Sequence, residues 1–150
     1  MTNFLAAIDL SDERYWRKIV KTAVDMATGV KGTKVYLMTV VPGIISGVDA
    51  RYAVRGEMHG SQEYPLQEWK DDAAKRLKEI ADEHVPKEMY AGVVVENGTV
   101  YREIVEAAKD LKIDQIVMGA HRPSLADFLL GPNSEKVAQH AGCTVTVVRE

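Results

Sequence analysis

One cysteine, Cys143, is all the sequence has, so neither an internal disulfide nor a multi-cysteine zinc site can form, and a reducing compartment is expected. Long apolar runs are missing as well. No segment approaches the roughly 20 apolar residues that span a bilayer, and the stretch from Met1 to Asp12 lacks a basic start and is interrupted by Asp9 and Asp12, unlike an export signal. There is no excess of positive charge: 19 Lys and Arg stand against 22 Asp and Glu, and the cations are scattered. Such a distribution gives no track for a nucleic-acid backbone. The expectation is a soluble, cytoplasmic protein with no nucleic-acid or membrane partner. Catalytic signatures are equally scarce. No Gly-x-Ser-x-Gly elbow, no Walker lysine and no histidine pair at metal-binding spacing occurs, so enzymatic activity is not the expectation.

What is there is a globular composition, 46% hydrophobic and 27% charged over 150 residues, read as one domain, 1–150. Asn3 to Ile8 is a short apolar run closed by Asp9, Ser11 and Asp12, residues that start helices. Trp16, Ile19, Val20, Ala23 and Ala27 then recur at helical spacing until Gly29. Thr33 to Val41 is a β-branched and aromatic run ended by Pro42 and Gly43. From Pro42 to about Tyr64 no period persists, a length typical of functional lids. Leu66, Trp69, Ala73, Leu77 and Ile80 restore the helical period. Strands at Tyr90 to Val95, Gln115 to Met118 and Thr144 to Val148 alternate with helices carrying Ile104, Val105, Ala108 and Leu111, and spanning Asn133 to Ala141.

Strictly alternating strands and helices predict an α/β fold, an open parallel sheet covered by helices on both faces. Right-handed crossovers place every strand's carboxyl end on one edge, and ligands bind there, where strand order reverses. The loop after the fourth strand begins at Gly119 and ends at Gly131, before Pro132, Asn133 and Ser134. Gly119 permits close backbone approach, and the helix that follows offers free amides and its positive dipole end. Arg122 adds a cation shaped for phosphate oxygens, Ser134 a hydroxyl. Asp9 can accept from ribose hydroxyls, or can cap the helix beginning near Ser11. Glycines at such ends also serve ordinary turns. Trp16, Trp69 and Cys143 read as packing residues, and His59, His84 and His140 as surface or cap residues, whereas His121 lies within the loop and reads as ligand-side.

Together these residues resemble the universal stress protein family almost end to end. The resemblance rests on Phe4-Leu-Ala-Ala-Ile-Asp9-Leu-Ser-Asp12, Val35-Tyr-Leu-Met-Thr-Val-Val-Pro42, Gly98 to Ile104, and Met118 to Arg149. His121-Arg122-Pro123 and the ending Gly142-Cys-Thr-Val-Thr-Val-Val-Arg149 look most like its F and G branch. The resemblance implies a Rossmann-like, adenine nucleotide alpha hydrolase-like fold with strand order 3-2-1-4-5, binding ATP, AMP or ADP, with Mg2+ on the phosphates. It also implies a homodimer paired through Thr144 to Val148. By position, Ala7, Asp9, Val40 and Met118 would flank the nucleoside, and Gly119, His121, Arg122, Gly131, Asn133 and Ser134 would surround ribose and phosphates.

Three departures from the family's Gly-x2-Gly-x9-Gly-Ser/Thr pattern stand out. Arg122 replaces the second glycine, the spacer to Gly131 is one residue shorter, and Pro132 occupies the serine or threonine position. Proline lacks an N–H, so a phosphate donor and a hydroxyl are lost, worth roughly 1.5–3 kcal/mol for a bond to a charged group, which Arg122 can offset. The expected function is a regulatory, nucleotide-binding stress-response homodimer. The alternatives are a nucleotide-free dimeric interaction module of the same fold, and a weak ATPase or autophosphorylating protein using Ser124 or Ser134.

Overall fold

Asp12 starts the first helix. Its carboxylate accepts from the Tyr15 N–H at 3.2 Å, satisfying one of the amides that a helix N-terminus leaves without a partner. This is a residue of a computed structural model that describes residues 2–42, 66–120 and 131–150. The lid expected between Pro42 and Tyr64 lies outside the described residues except for Pro42, and His59, His121, Arg122 and Ser124 lie outside them as well.

The described chain alternates strand and helix throughout: β1 (Thr2–Ala7), α1 (Glu13–Thr28), β2 (Thr33–Pro42), α2 (Leu66–His84), β3 (Tyr90–Gly98), α3 (Val100–Asp110), β4 (Gln115–Gly119), α4 (Pro132–His140) and β5 (Thr144–Val148). All strand pairs are parallel, and the sheet order is β3-β2-β1-β4-β5, as expected. The third strand runs three residues beyond the expected Val95, because Val41 and Pro42 continue pairing with Asn97 and Gly98. The Asn97 side-chain amide also donates to the Val41 carbonyl at 2.9 Å.

Strand alternation divides the interior in two. On one face Phe4, Ala6, Val35, Leu37 and Val117 pack under α1 and α2, with Trp16, Ile19, Ala23, Trp69, Leu77 and Ile80 buried against them. On the other, Leu5, Ala7, Met38, Ile116 and Met118 meet Ile104, Ala107, Ala108 and Val137 from α3 and α4. The helical stripes read from sequence are these buried faces. Leu66 is the exception, exposed at the first turn of α2. The indole N–H groups of Trp16 and Trp69 have no partner among the described residues, so these rings are held by packing. Around Trp16 that packing includes the His84 ring edge and the Arg17 and Arg76 guanidinium groups, 5.2 and 5.6 Å from its centroid.

Candidate functional site

Strand order reverses at β1, which pairs with β2 on one side and β4 on the other. The carboxyl ends of these three strands therefore bound the crevice in which ligands bind on sheets of this kind. Ala7 pairs with Met38 and with Met118, so the expected residues Ala7 and Met118 are neighbours in register. Both are buried, and both belong with the half-buried Val40 to the cluster under α3 and α4. The structure thus brings Ala7, Val40 and Met118 together as an apolar floor at the edge.

Asp9 stands two residues past β1 and is exposed. Its Oδ1 accepts from the Ser11 N–H at 2.9 Å and the Ser11 hydroxyl at 2.6 Å, a local turn that holds the carboxylate just past the carboxyl end of β1. Of the two roles read for Asp9, the helix cap falls instead to Asp12.

The two ends of the connection between β4 and α4 are tied together. The Gly131 N–H donates to the Ala120 carbonyl at 2.8 Å, and the Ser134 hydroxyl donates to the same carbonyl and reaches Gly131 O at 3.1 Å. Gly131 is the N-cap in an extended conformation, and Pro132 takes the first helical turn, where a missing N–H is harmless. The amides of Asn133 and Ser134 have no intrahelical acceptor at this end, the usual condition of a first turn. The helix dipole adds partial positive charge there. The Ser134 side chain, read as ligand-side, is buried and turned to the backbone, so its amide is the group left for a ligand.

Gly119 has a neighbour that sequence reasoning missed. A Cβ built there would lie 2.9 Å from Tyr15 Cζ and 3.0 Å from its hydroxyl oxygen, so the space above Gly119 is filled by the Tyr15 ring. That hydroxyl donates to the Val148 carbonyl at 2.6 Å and accepts from the Ala120 N–H at 2.7 Å. Tyr15 precedes Ile19, Ala23 and Ala27 at steps of four, and that spacing was the available signal for its burial.

At the end of β3 the charges differ. Burial pushes the Glu103 carboxyl up, and repulsion from Glu96 and Glu106 adds to this, while Lys70 and Arg102 oppose it. Burial and the Asp114 charge likewise raise the half-buried Cys143 thiol, which disfavours its thiolate. Among the described residues no group of His, Cys, Asp and Glu could hold a metal ion, and no helix is long and apolar enough to cross a membrane.

An open parallel sheet covered by helices on both faces, its strand order reversing at β1, defines a doubly wound α/β protein. The universal stress protein family model matches residues 1–149, and the chain belongs to that family. Universal stress protein G of Shigella flexneri is 31% identical over 118 residues, 77% of each chain, in line with the resemblance to the G branch. Among solved structures, the universal stress protein UspA from Lactobacillus plantarum superposes with a TM-score of 0.67 at 20% identity, covering 99% of this chain and 97% of its own. A universal stress protein in complex with cAMP superposes with a TM-score of 0.57 at 17% identity, over 99% and 96% of the two chains. These two likenesses establish the shared fold.

Proposed function

We propose that this protein binds an adenine nucleotide, ATP or a relative such as AMP or ADP, at the carboxyl edge between β1 and β4, and acts as a regulatory homodimer in the cytoplasm. The observation that carries the reading is the convergence of three unlike groups on that edge. Ala7, Val40 and Met118 offer an apolar floor suited to a purine, Asp9 a carboxylate suited to ribose hydroxyls, and the first turn of α4 two amides suited to phosphate oxygens. Outside the described residues, Arg122 and His121 are assigned to the phosphates, where Arg122 offsets the donor absent at Pro132. Mg2+, where present, rides on the phosphates. The relative in complex with cAMP supports an adenine compound as the ligand class. Pairing is assigned to β5, a short edge strand whose backbone groups on one side meet no neighbouring strand among the described residues.

One pair of observations favours a second reading, a nucleotide-free interaction module: Pro132 has no N–H, and the Ser134 hydroxyl is engaged with Ala120. Mass spectrometry of small molecules released by acid from the purified protein separates the two. Calorimetric titration with ATP then reads affinity, and Asp9→Ala is expected to weaken it on the order of 10–100-fold, the loss of hydrogen bonds to a charged group. The same substitution shifts folding stability by about 1 kcal/mol or less, since it breaks only an exposed turn. Unchanged affinity in Asp9→Ala removes Asp9 from the site, and no binding at millimolar ATP leaves the interaction module.

A further inference from the structure

Groups on five residues from four distant parts of the chain form one hydrogen-bonded network. Val148 O, near the end of edge strand β5, accepts from the Tyr15 hydroxyl and, at 3.0 Å, from the Ala120 N–H. The Tyr15 hydroxyl accepts from that same N–H. The other side of the Ala120 residue, its carbonyl, receives the Gly131 N–H and the Ser134 hydroxyl at the head of α4. All of this is buried: Tyr15 and Val148 are nearly inaccessible, and Ala120 and Ser134 more so. A buried hydroxyl that both donates and accepts is fully used, and polar groups in such surroundings hold their geometry more tightly than exposed ones.

We propose that Tyr15 is a positioning residue of the ligand site, and that its hydroxyl fixes the Ala120 peptide and through it the orientation of the first turn of α4. The consequence for ligand affinity rests on the nucleotide reading above. The consequence for the backbone does not. Without the hydroxyl, the Ala120 N–H keeps only the 3.0 Å bond to Val148, while the Ala120 carbonyl keeps its bonds from Gly131 and Ser134. The phenyl ring of a Tyr15→Phe variant still fills the space over Gly119, so the fold is retained while the anchor of Ala120 is weakened. The amides of Asn133 and Ser134, whose aim decides how well they meet an anion, then lose their fixed reference. The same hydroxyl ties that turn to β5, so the placement of the anion-binding end and of the edge strand share one group.

The test compares the 15N-labelled full chain with Tyr15→Phe, and with Ile19→Val, a core substitution one turn further along α1 that touches none of these bonds. Amide hydrogen exchange, thermal midpoints and ATP titration are measured at a temperature where all three proteins are folded. In Tyr15→Phe the Ala120 and Gly131 amides are expected to exchange at least tenfold faster, with Val20 and Ala23 in α1 unchanged, and the ATP dissociation constant to rise about tenfold. Ile19→Val lowers the midpoint and leaves affinity as it was. Equal loss of affinity in Ile19→Val shows a general stability effect and overturns the proposal. So does exchange at Ala120 and Gly131 within twofold of the parent in Tyr15→Phe, or ATP bound as tightly as by the parent. If the parent protein takes up no ATP, the nucleotide reading fails, and the exchange comparison still decides whether Tyr15 anchors Ala120.

Discussion

Gly119→Ala tests most directly how the end of β4 is built. Gly119 does not have a left-handed backbone, so alanine there is free of φ strain and, in isolation, would gain about 0.4–1 kcal/mol from a stiffer unfolded chain. Tyr15 reverses the sign. The new methyl would sit 2.9 Å from Cζ, 3.0 Å from the hydroxyl oxygen and 3.2 Å from Cε2, against about 3.5–4.0 Å for comfortable contact. The ring cannot swing aside while its hydroxyl is held by Val148 and Ala120. Relief needs either a backbone shift, about 1–3 kcal/mol for an overpacked site, or release of the hydroxyl, about 1 kcal/mol for each bond. With the gain of about 0.4–1 kcal/mol subtracted, the net expectation is a loss of about 0.5–2.5 kcal/mol, or roughly 1–10 °C in midpoint for a chain of this length. Urea unfolding of Gly119→Ala, Tyr15→Ala and the double variant reads it as a cycle. In the Tyr15→Ala background the same alanine should be neutral or stabilising, giving a coupling of about 1.5 kcal/mol or more between two residues in contact. Additive effects, or a stable Gly119→Ala that loses only nucleotide affinity, would refute the steric account and return Gly119 to a purely ligand-facing role.

Asp12→Ala removes the side-chain acceptor that caps α1 and should cost about 1 kcal/mol by chemical denaturation, whereas Asp12→Asn or Asp12→Ser should recover most of it. Glu103 gives a pH signature. Its folded carboxyl binds a proton more tightly than the unfolded chain does, first through burial and then through Glu96 and Glu106. Its contribution to stability is therefore present below the unfolded pKa and lost as pH rises through the higher folded value. Glu103→Gln should raise the thermal midpoint at pH 7 relative to the parent and show a smaller difference near pH 4. An identical difference at both values would contradict the assigned burial.

Sequence alone determined the order of elements and most of the buried stripes. Periods of two and 3.6 are local properties, and residues such as Trp16, Ile19, Ala23 or Trp69, Ala73, Leu77 declare their face without knowledge of a partner. Right-handed crossovers between parallel strands also put the loops after Asp9, Val41, Glu96 and Met118 on one edge, whereas Ala7 and Val40 came to the site only from the family resemblance. Helix starts were legible to within a few residues. Which acidic residue caps α1 was not, since Asp9 and Asp12 differ only in backbone geometry that the turn at Ser11 sets.

Tertiary structure alone decided what the polar groups at the edge do. The Ser134 hydroxyl faces Ala120, Gly119 makes room for an aromatic ring, and Tyr15 joins α1, β4 and β5 through one oxygen. Each of these contacts links residues 14 to 133 positions apart, and no local period encodes them. A hydroxyl or a missing Cβ acquires its meaning from what the folded chain brings within about 3 Å of it, and directional, short-ranged hydrogen bonds and contacts exist only once that approach has been made.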